Sequence, residues 1–324
     1  MLDRILVPLD GSPLTECVLP HAIAIAKAFN AEVTLVHILD HPTAPLQFPK
    51  ADPLDWYLKK SEAQLYLNTI QARLEAYQLS VQTSMIEGNI ADRIVELAHS
   101  MQADLIILSS FGEAKFANGG GVSSVVQHIL QRVRTSTLLI RTTEPFTLIT
   151  DDMCYHKLMI PLDGSQRAGA VLSMATALAE AYESQVLLVH VVSKPEMARH
   201  MPLTPEDAEL VNRLVERNQD EGKKYLEQVQ NLLPIQLETR LLVSDNVAAT
   251  LQNVSEDEQI DLLVLSAHGY SGESRWPYGS ITNRFITSGT TPLLIVQDLQ
   301  WATSSDSVRV TSEIRLPARV NSVA

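Results

Sequence analysis

The sequence predicts an α/β protein made of two tandem, doubly wound parallel-sheet domains of five strands each. Three observations lead there. The chain repeats itself once, its short apolar runs alternate with longer segments of helical period, and its 324 residues suffice for two domains of ordinary size.

The repeat comes first because it fixes the organisation. "ILVPLDGS" at 5–12 recurs as "LMIPLDGS" at 158–165, displaced by 153 positions, and the same displacement relates "VTLVHIL" at 33–39 to "VLLVHVV" at 186–192. Further on, "ADLIILSSFG" at 103–112 matches "IDLLVLSAHG" at 260–269, and "TSTLLI" at 135–140 matches "TTPLLI" at 290–295. A period near 155 is too long for a solenoid unit, so each half is a domain. The first is placed at 1–145 and the second at 154–297, with the boundary in "RTTEPFTLITDDMCYHK". The tail, 298–324, has no counterpart and reads as a mobile terminus, or as "SVRVTSEIRL" adding a strand to a sheet edge.

Within the second half, runs rich in Val, Leu and Ile place strands at 157–162, 185–192, 235–243, 261–266 and 292–296. Helices fit between them at 166–182, 205–231, 246–257 and 280–288. Strands this apolar on both faces, separated by helices, imply a parallel sheet covered on both sides. The first half follows the same plan, its strands beginning near 3, 32, 81, 104 and 137.

Composition narrows the function classes. Lys and Arg number 25 against 38 Asp and Glu, and a net charge of −13 opposes both nucleic acid and an anionic membrane. No apolar run approaches the roughly 20 residues that span a bilayer, and "MLDRILVPLDGS" is no signal peptide. Cys17 and Cys154 form no disulfide framework and no thiol-rich metal site, which fits a reducing, cytoplasmic interior.

In open parallel sheets, ligands bind beyond the carboxyl ends of the strands, where the winding reverses. Asp163 ends the first strand of the second half, and Pro161 and Leu162 precede it; His190 and Val191 end the second. The loop "SAHGYSGESRWPYGS", 266–280, leaves the fourth strand and meets the first turn of the helix at 280–288, whose free N–H groups favour an anion. An adenosine can lie between the first two strands with its phosphates over this loop. At Gly279, a Cβ would occupy the place of an oxygen and demand strained backbone angles.

The "VPLDGS" opening, the "LVHV" strand and "DLLVLSAHG", nine residues, then "GS" resemble the universal stress protein family in its tandem form, over residues 1–297. The resemblance implies a Rossmann-like fold of the adenine nucleotide alpha hydrolase type, pairing through the last strand, and in one subgroup ATP binding by a G-x-x-G-x9-G-S/T loop. Carried over, that loop is Ser266, Gly269, Gly279 and Ser280, with serine where the family has its first glycine. It also assigns Asp163 to the ribose, the main chain near Val191 to adenine, and Ile281 N–H with Ser280 to the phosphates. Further candidates are His190, His268 and, in the first half, Asp10, Gly112, Ser123 and Ser124. There the glycine spacing fails: nine residues after Gly112 lead to Val122-Ser123, and the alternative alignment puts Ser123-Ser124 where Gly279-Ser280 stand.

Plainer roles stand beside these. Asp10 and Asp163 precede Gly-Ser and can shape the turn. His37 and His190 read first as hydrogen-bonded structural groups and His268 as a loop anchor, Arg275 as an exposed loop residue, and Trp276-Pro277 as a lid or as loop packing. No Ser/His/Asp order, carboxylate pair or metal-ligand cluster points to a reaction, so binding is preferred over catalysis, with slow ATP hydrolysis as the upper limit. The leading reading is a cytoplasmic stress-response protein binding ATP, with ADP or AMP as alternatives and Mg as an optional companion, mainly in the second half. A nucleotide-free regulatory scaffold is the first alternative. An adenylylating enzyme is the second, disfavoured because its S-G-G-x-D-S loop is replaced by "DGSQRAG" and "DGSPLTE". Strands 137–141 and 292–296 should pair within the chain, leaving a homodimer to other surfaces.

Overall fold

A computed structural model gives the architecture of residues 2–40, 53–110, 122–141, 154–165, 168–194, 204–269 and 277–297. Gly112, Gly272, Arg275, Trp276, the segment joining the halves at 142–153 and the tail at 298–324 lie outside the described residues. In the first half, β1 (Arg4–Pro8), β2 (Glu32–Leu39), β3 (Val81–Glu87), β4 (Leu105–Ser109) and β5 (Ser136–Ile140) alternate with α1 (Val18–Phe29), α2 (Pro53–Glu75), α3 (Ile90–Ser100) and α4 (Ser124–Arg132). A single 3-10 turn, Thr15–Cys17, precedes α1. The second half repeats the order with β6 (Lys157–Pro161), α5 (Ala168–Tyr182), β7 (Gln185–Ser193), α6 (Pro205–Leu232), β8 (Leu237–Ser244), α7 (Val247–Asp257), β9 (Leu262–Ser266), α8 (Ser280–Ser288) and β10 (Leu293–Val296). Helix starts follow local chemistry: Asn89 and Asn246 cap α3 and α7, and Thr204 makes a reciprocal capping box with Asp207. The strand expected at 235–243 starts two residues later, at Leu237, because the chain bends after Pro234 before entering the sheet.

All ten strands form one sheet in the order β3-β2-β1-β4-β5-β10-β9-β6-β7-β8. Pairing is parallel within each half and antiparallel where β5 meets β10, with Leu139 opposite Leu293 and Thr137 opposite Ile295. The two last strands therefore satisfy each other's edges inside one chain. Two apolar cores cover the two faces. Leu67, Val18, Leu178 and Tyr225 of α2, α1, α5 and α6 lie on one; Ile94, Ile129, Leu251 and Phe285 of α3, α4, α7 and α8 lie on the other. Both cores run through the two halves.

The repeat is shifted by one residue in the last strand. The sequence match sets Leu138 against Leu293, but the two face opposite sides of the sheet. Ser110 N–H donates to Ile140 O, and Ala267 N–H to Val296 O, which makes Ile140 the counterpart of Val296 and Arg141 that of Gln297. A slip of one reverses every side chain in a strand, so burial decides the register against the best string match.

One detail of register makes the crevice. β6 pairs with β7 through five positions, but with β9 only at Leu158–Leu262 and Met159–Leu263. Beyond Met159 the two strands part at their carboxyl ends, where the winding reverses.

Candidate functional site

A cavity of about 130 Å³ opens in that split. Pro161, Leu162 and Asp163 enter from the end of β6, and Val191 with Val189 from β7. Ser266 and Gly269 come from the end of β9 and its loop, and Gly279, Ser280 and Ile281 from the start of α8. Val247 and Leu251 of α7 complete an apolar wall in which Asp163 is the single charged side chain among the described lining residues. Its volume lies below the about 300–1,000 Å³ of small-molecule pockets, so only part of a ligand of that size would be enclosed.

Asp163 is placed by its own turn. Its Oδ1 accepts from Ser165 N–H at 2.9 Å, and Gly164 between them sits at φ +78°, where a side chain is disfavoured. Gly269 faces the same carboxylate: a Cβ there would come within 2.4 Å of Asp163 Oδ2. The glycine of the loop thus makes room for the aspartate.

Gly279 differs. Its φ of −66° and ψ of 164° suit any residue, so the expected backbone strain is absent, and an added Cβ would meet its nearest described neighbour, Gly269 N, at an ordinary 3.5 Å. Gly279 N–H donates to Ala267 O at 2.8 Å, and Thr282 Oγ1 donates to Ser266 O at 2.9 Å, so the start of α8 is stitched to the end of β9. Among the described residues, no side chain caps this helix. The amides of Ser280, Ile281 and Thr282 stand in the first turn, before the intrahelical bonds begin with Asn283 N–H to Gly279 O. Ser266 fills the family's first glycine position and turns its hydroxyl to His268 O at 2.6 Å.

Neither His190 nor His268 walls the cavity. Side chains alternate along β7, so Val189 and Val191 face the cavity while His190 points at α6. Its Nδ1–H donates to Leu162 O at 2.7 Å, its ring lies edge-on to Tyr225 with centroids 6.1 Å apart, and Gly222 leaves space for it. His190 is a brace between strand ends and helix, the hydrogen-bonded structural role that the sequence also suggested for it. Burial raises the Tyr225 pKa, and the nearby Asp163 charge adds to the rise.

In the first half, side chains at the matching place bond to one another. Asp10 Oδ1 accepts from Ser12 N–H at 2.9 Å and from Thr15 Oγ1 at 2.7 Å. The buried Cys17 thiol donates to Ser109 Oγ, and Ser109 Oγ to Leu14 O, lacing the 3-10 turn to the end of β4; burial pushes that thiol up to about 11. Ser123 occupies the position of Gly279 and Ser124 that of Ser280. The Ser123 hydroxyl accepts from Val126 N–H at 3.2 Å and caps α4. Sequence reasoning missed this cap and the Cys17–Ser109 link, although the serine in place of glycine was already visible in the second of the two alignments.

Fold and crevice together define a tandem α/β protein whose two units share one sheet, with an open cleft at the winding reversal of the second unit. The model of the universal stress protein family matches residues 1–141 and again 154–297, and the chain belongs to that family. It is similar to universal stress protein MJ0531 of Methanocaldococcus jannaschii, 30% identical over 142 residues, which cover 44% of this chain and 83% of that protein. Universal stress protein Mb2028c of Mycobacterium bovis aligns over 308 residues at 22% identity, covering 90% of this chain and 96% of that protein. Among solved structures, a universal stress protein from Archaeoglobus fulgidus has a similar fold, with TM-score 0.61 at 14% identity over 92% of this chain and 99% of that one. No helix among the described residues is long and apolar enough to cross a membrane.

Proposed function

We propose that the chain binds one adenine nucleotide, ATP or its relatives ADP and AMP, in the second domain, 154–297, and that the first domain, 1–145, carries a closed version of the same cleft. The base would enter the slot walled by Val189, Val191 and Leu251, the ribose would meet Asp163, and the phosphates would lie at the amides of Ser280 and Ile281. Mg2+ is expected only as a companion of the triphosphate. The role is binding in a stress response of the cytoplasm rather than turnover, since no side chain in the described wall is arranged as a base.

The observation that carries this reading is Gly279. The backbone does not need glycine there, yet glycine offers the first turn of α8 no side-chain cap beside the cavity, while Ser123 caps the matching helix. Bare first-turn amides with a positive dipole end suit an anion.

Titration with ATP by calorimetry should give one site per chain. Gly279→Ala should leave the melting temperature nearly unchanged, because its backbone angles accept alanine and the unfolded chain loses freedom worth about 0.4–1 kcal/mol, which offsets the poorer N-cap that alanine makes. The same variant, and Gly279→Val more strongly, should weaken ATP binding roughly tenfold or more, as a Cβ enters the phosphate position. Unchanged affinity in both variants would end the cradle reading, and no binding by the wild type would leave the nucleotide-free scaffold.

A further inference from the structure

α8 is held at its far end by the other half of the molecule. Arg141, one residue beyond β5, reaches across the β5–β10 junction and donates through Nη2 to Phe285 O at 2.7 Å and to Ile286 O. These are carbonyls of the last turn, which an α-helix leaves without intrahelical partners or shares among few. Gly289 N–H bonds Phe285 O at 3.0 Å, and Gly289 has an extended backbone, so α8 ends without a left-handed cap. Arg141 is half-buried, and burial lowers its pKa to about 10, so at neutral pH it remains a cation lying at the negative end of the helix. At the equivalent place behind α4 the residue is Gln297, uncharged, whose N–H donates to Ser136 Oγ at 3.2 Å. The helix that starts on a glycine, with no side-chain cap among the described residues, is the one given a guanidinium at its C-terminus.

We infer that Arg141 of the first half is a positioning residue for the anion-binding amides of the second half. α8 spans nine residues, pinned at one end to β9 through Gly279 and Thr282 and at the other to Arg141. Without the guanidinium, α8 loses its C-terminal anchor and opens more often as a unit, so the amides of Ser280 and Ile281 are less often held in line toward the crevice. Charge acts in the same sense, because a cation at the C-terminus and an anion at the N-terminus both stabilise one aligned row of peptide dipoles. This gives the closed first half a part in ligand binding as a buttress. The ligand aspect rests on the proposed function; the tether itself does not.

The test uses the full chain with Arg141→Met and Arg141→Lys. Without nucleotide, residue-resolved hydrogen exchange should speed up roughly tenfold along the bonded amides of α8, Asn283 to Ser288, in the Met variant and less in the Lys variant, with α4 unchanged. With nucleotide, ATP affinity should fall roughly tenfold in the Met variant and be partly restored in the Lys variant, measured well below the melting temperature. Faster exchange confined to Thr287 and Ser288, with Asn283 unmoved, would overturn the inference, since it would mean simple fraying of the last turn. An affinity equal to wild type in the Met variant would overturn it as well. If the wild type bound no ATP, the nucleotide reading would fall, and Asn283 exchange would still decide for or against the tether.

Discussion

Asp10 and Asp163 open the same Asp-Gly-Ser turn and differ in what surrounds them. Asp10 takes the Ser12 amide and the Thr15 hydroxyl on one oxygen, and so fastens the 3-10 turn before α1. Asp163 takes the Ser165 amide and sits in the wall of the cavity beneath Gly269. Asp10→Ala should therefore lower stability by about 1–3 kcal/mol, the usual range for losing charged hydrogen bonds, and leave ATP affinity as it is. Asp163→Ala should weaken ATP by roughly tenfold. Urea denaturation and calorimetry on both variants give the comparison; equal losses of affinity would place a second competent site in the first half.

At the scale of elements, the packing of α6 depends on a missing side chain. Gly222 faces His190 and Leu241, and a Cβ at 222 would lie 2.9 Å from His190 Cδ2 and from Leu241 Cδ1. The leucine tip can rotate, but the imidazole is fixed by its 2.7 Å bond to Leu162 O. Gly222→Ala should then destabilise by about 1–2 kcal/mol, overpacking outweighing the better helix propensity of alanine. A variant more stable than wild type in urea would show that His190 is free to move. This contact also marks the limit of what the sequence discloses. Strands such as "LLVLS" and the helix at 280–288 were legible because their apolar patterns are strong and their ends are marked by Gly and Pro. The turn at Asp163 was legible because Asp-Gly-Ser has only a few ways to fold. His190 was not, because its direction depends on strand alternation and on a glycine 32 positions away on another helix. The one-residue shift of the last strand was hidden for a related reason: "LLI" looks alike in two registers, and only burial separates them.

At the scale of the whole molecule, the two halves are locked along α1 and α5 as well as through the sheet. His21 and Tyr155, both buried, share a hydrogen bond of 2.9 Å, and the Tyr182 hydroxyl donates to Ala24 O. Burial holds the His21 pKa down at about 4, against 6.5 for the free side chain. Between those values the unfolded chain binds the proton that the folded one refuses, so this histidine's contribution is complete above pH 6.5 and is lost as pH falls toward 4. The stability gap between wild type and His21→Phe should narrow by about 2 kcal/mol from pH 7 to pH 4.5, read from urea midpoints. A gap constant over that range would mean that His21 is protonated inside the fold. The β5–β10 junction has a further consequence, one of inheritance. In a pair of identical subunits every substitution appears twice, on both sides of the axis, so an altered cleft is altered in both copies. Here each side of the junction has its own stretch of coding sequence. Ser123 can plug one helix while Gly279 leaves the other bare, and Arg141 can serve α8 while Gln297 stands opposite it, with no compromise between the two sites.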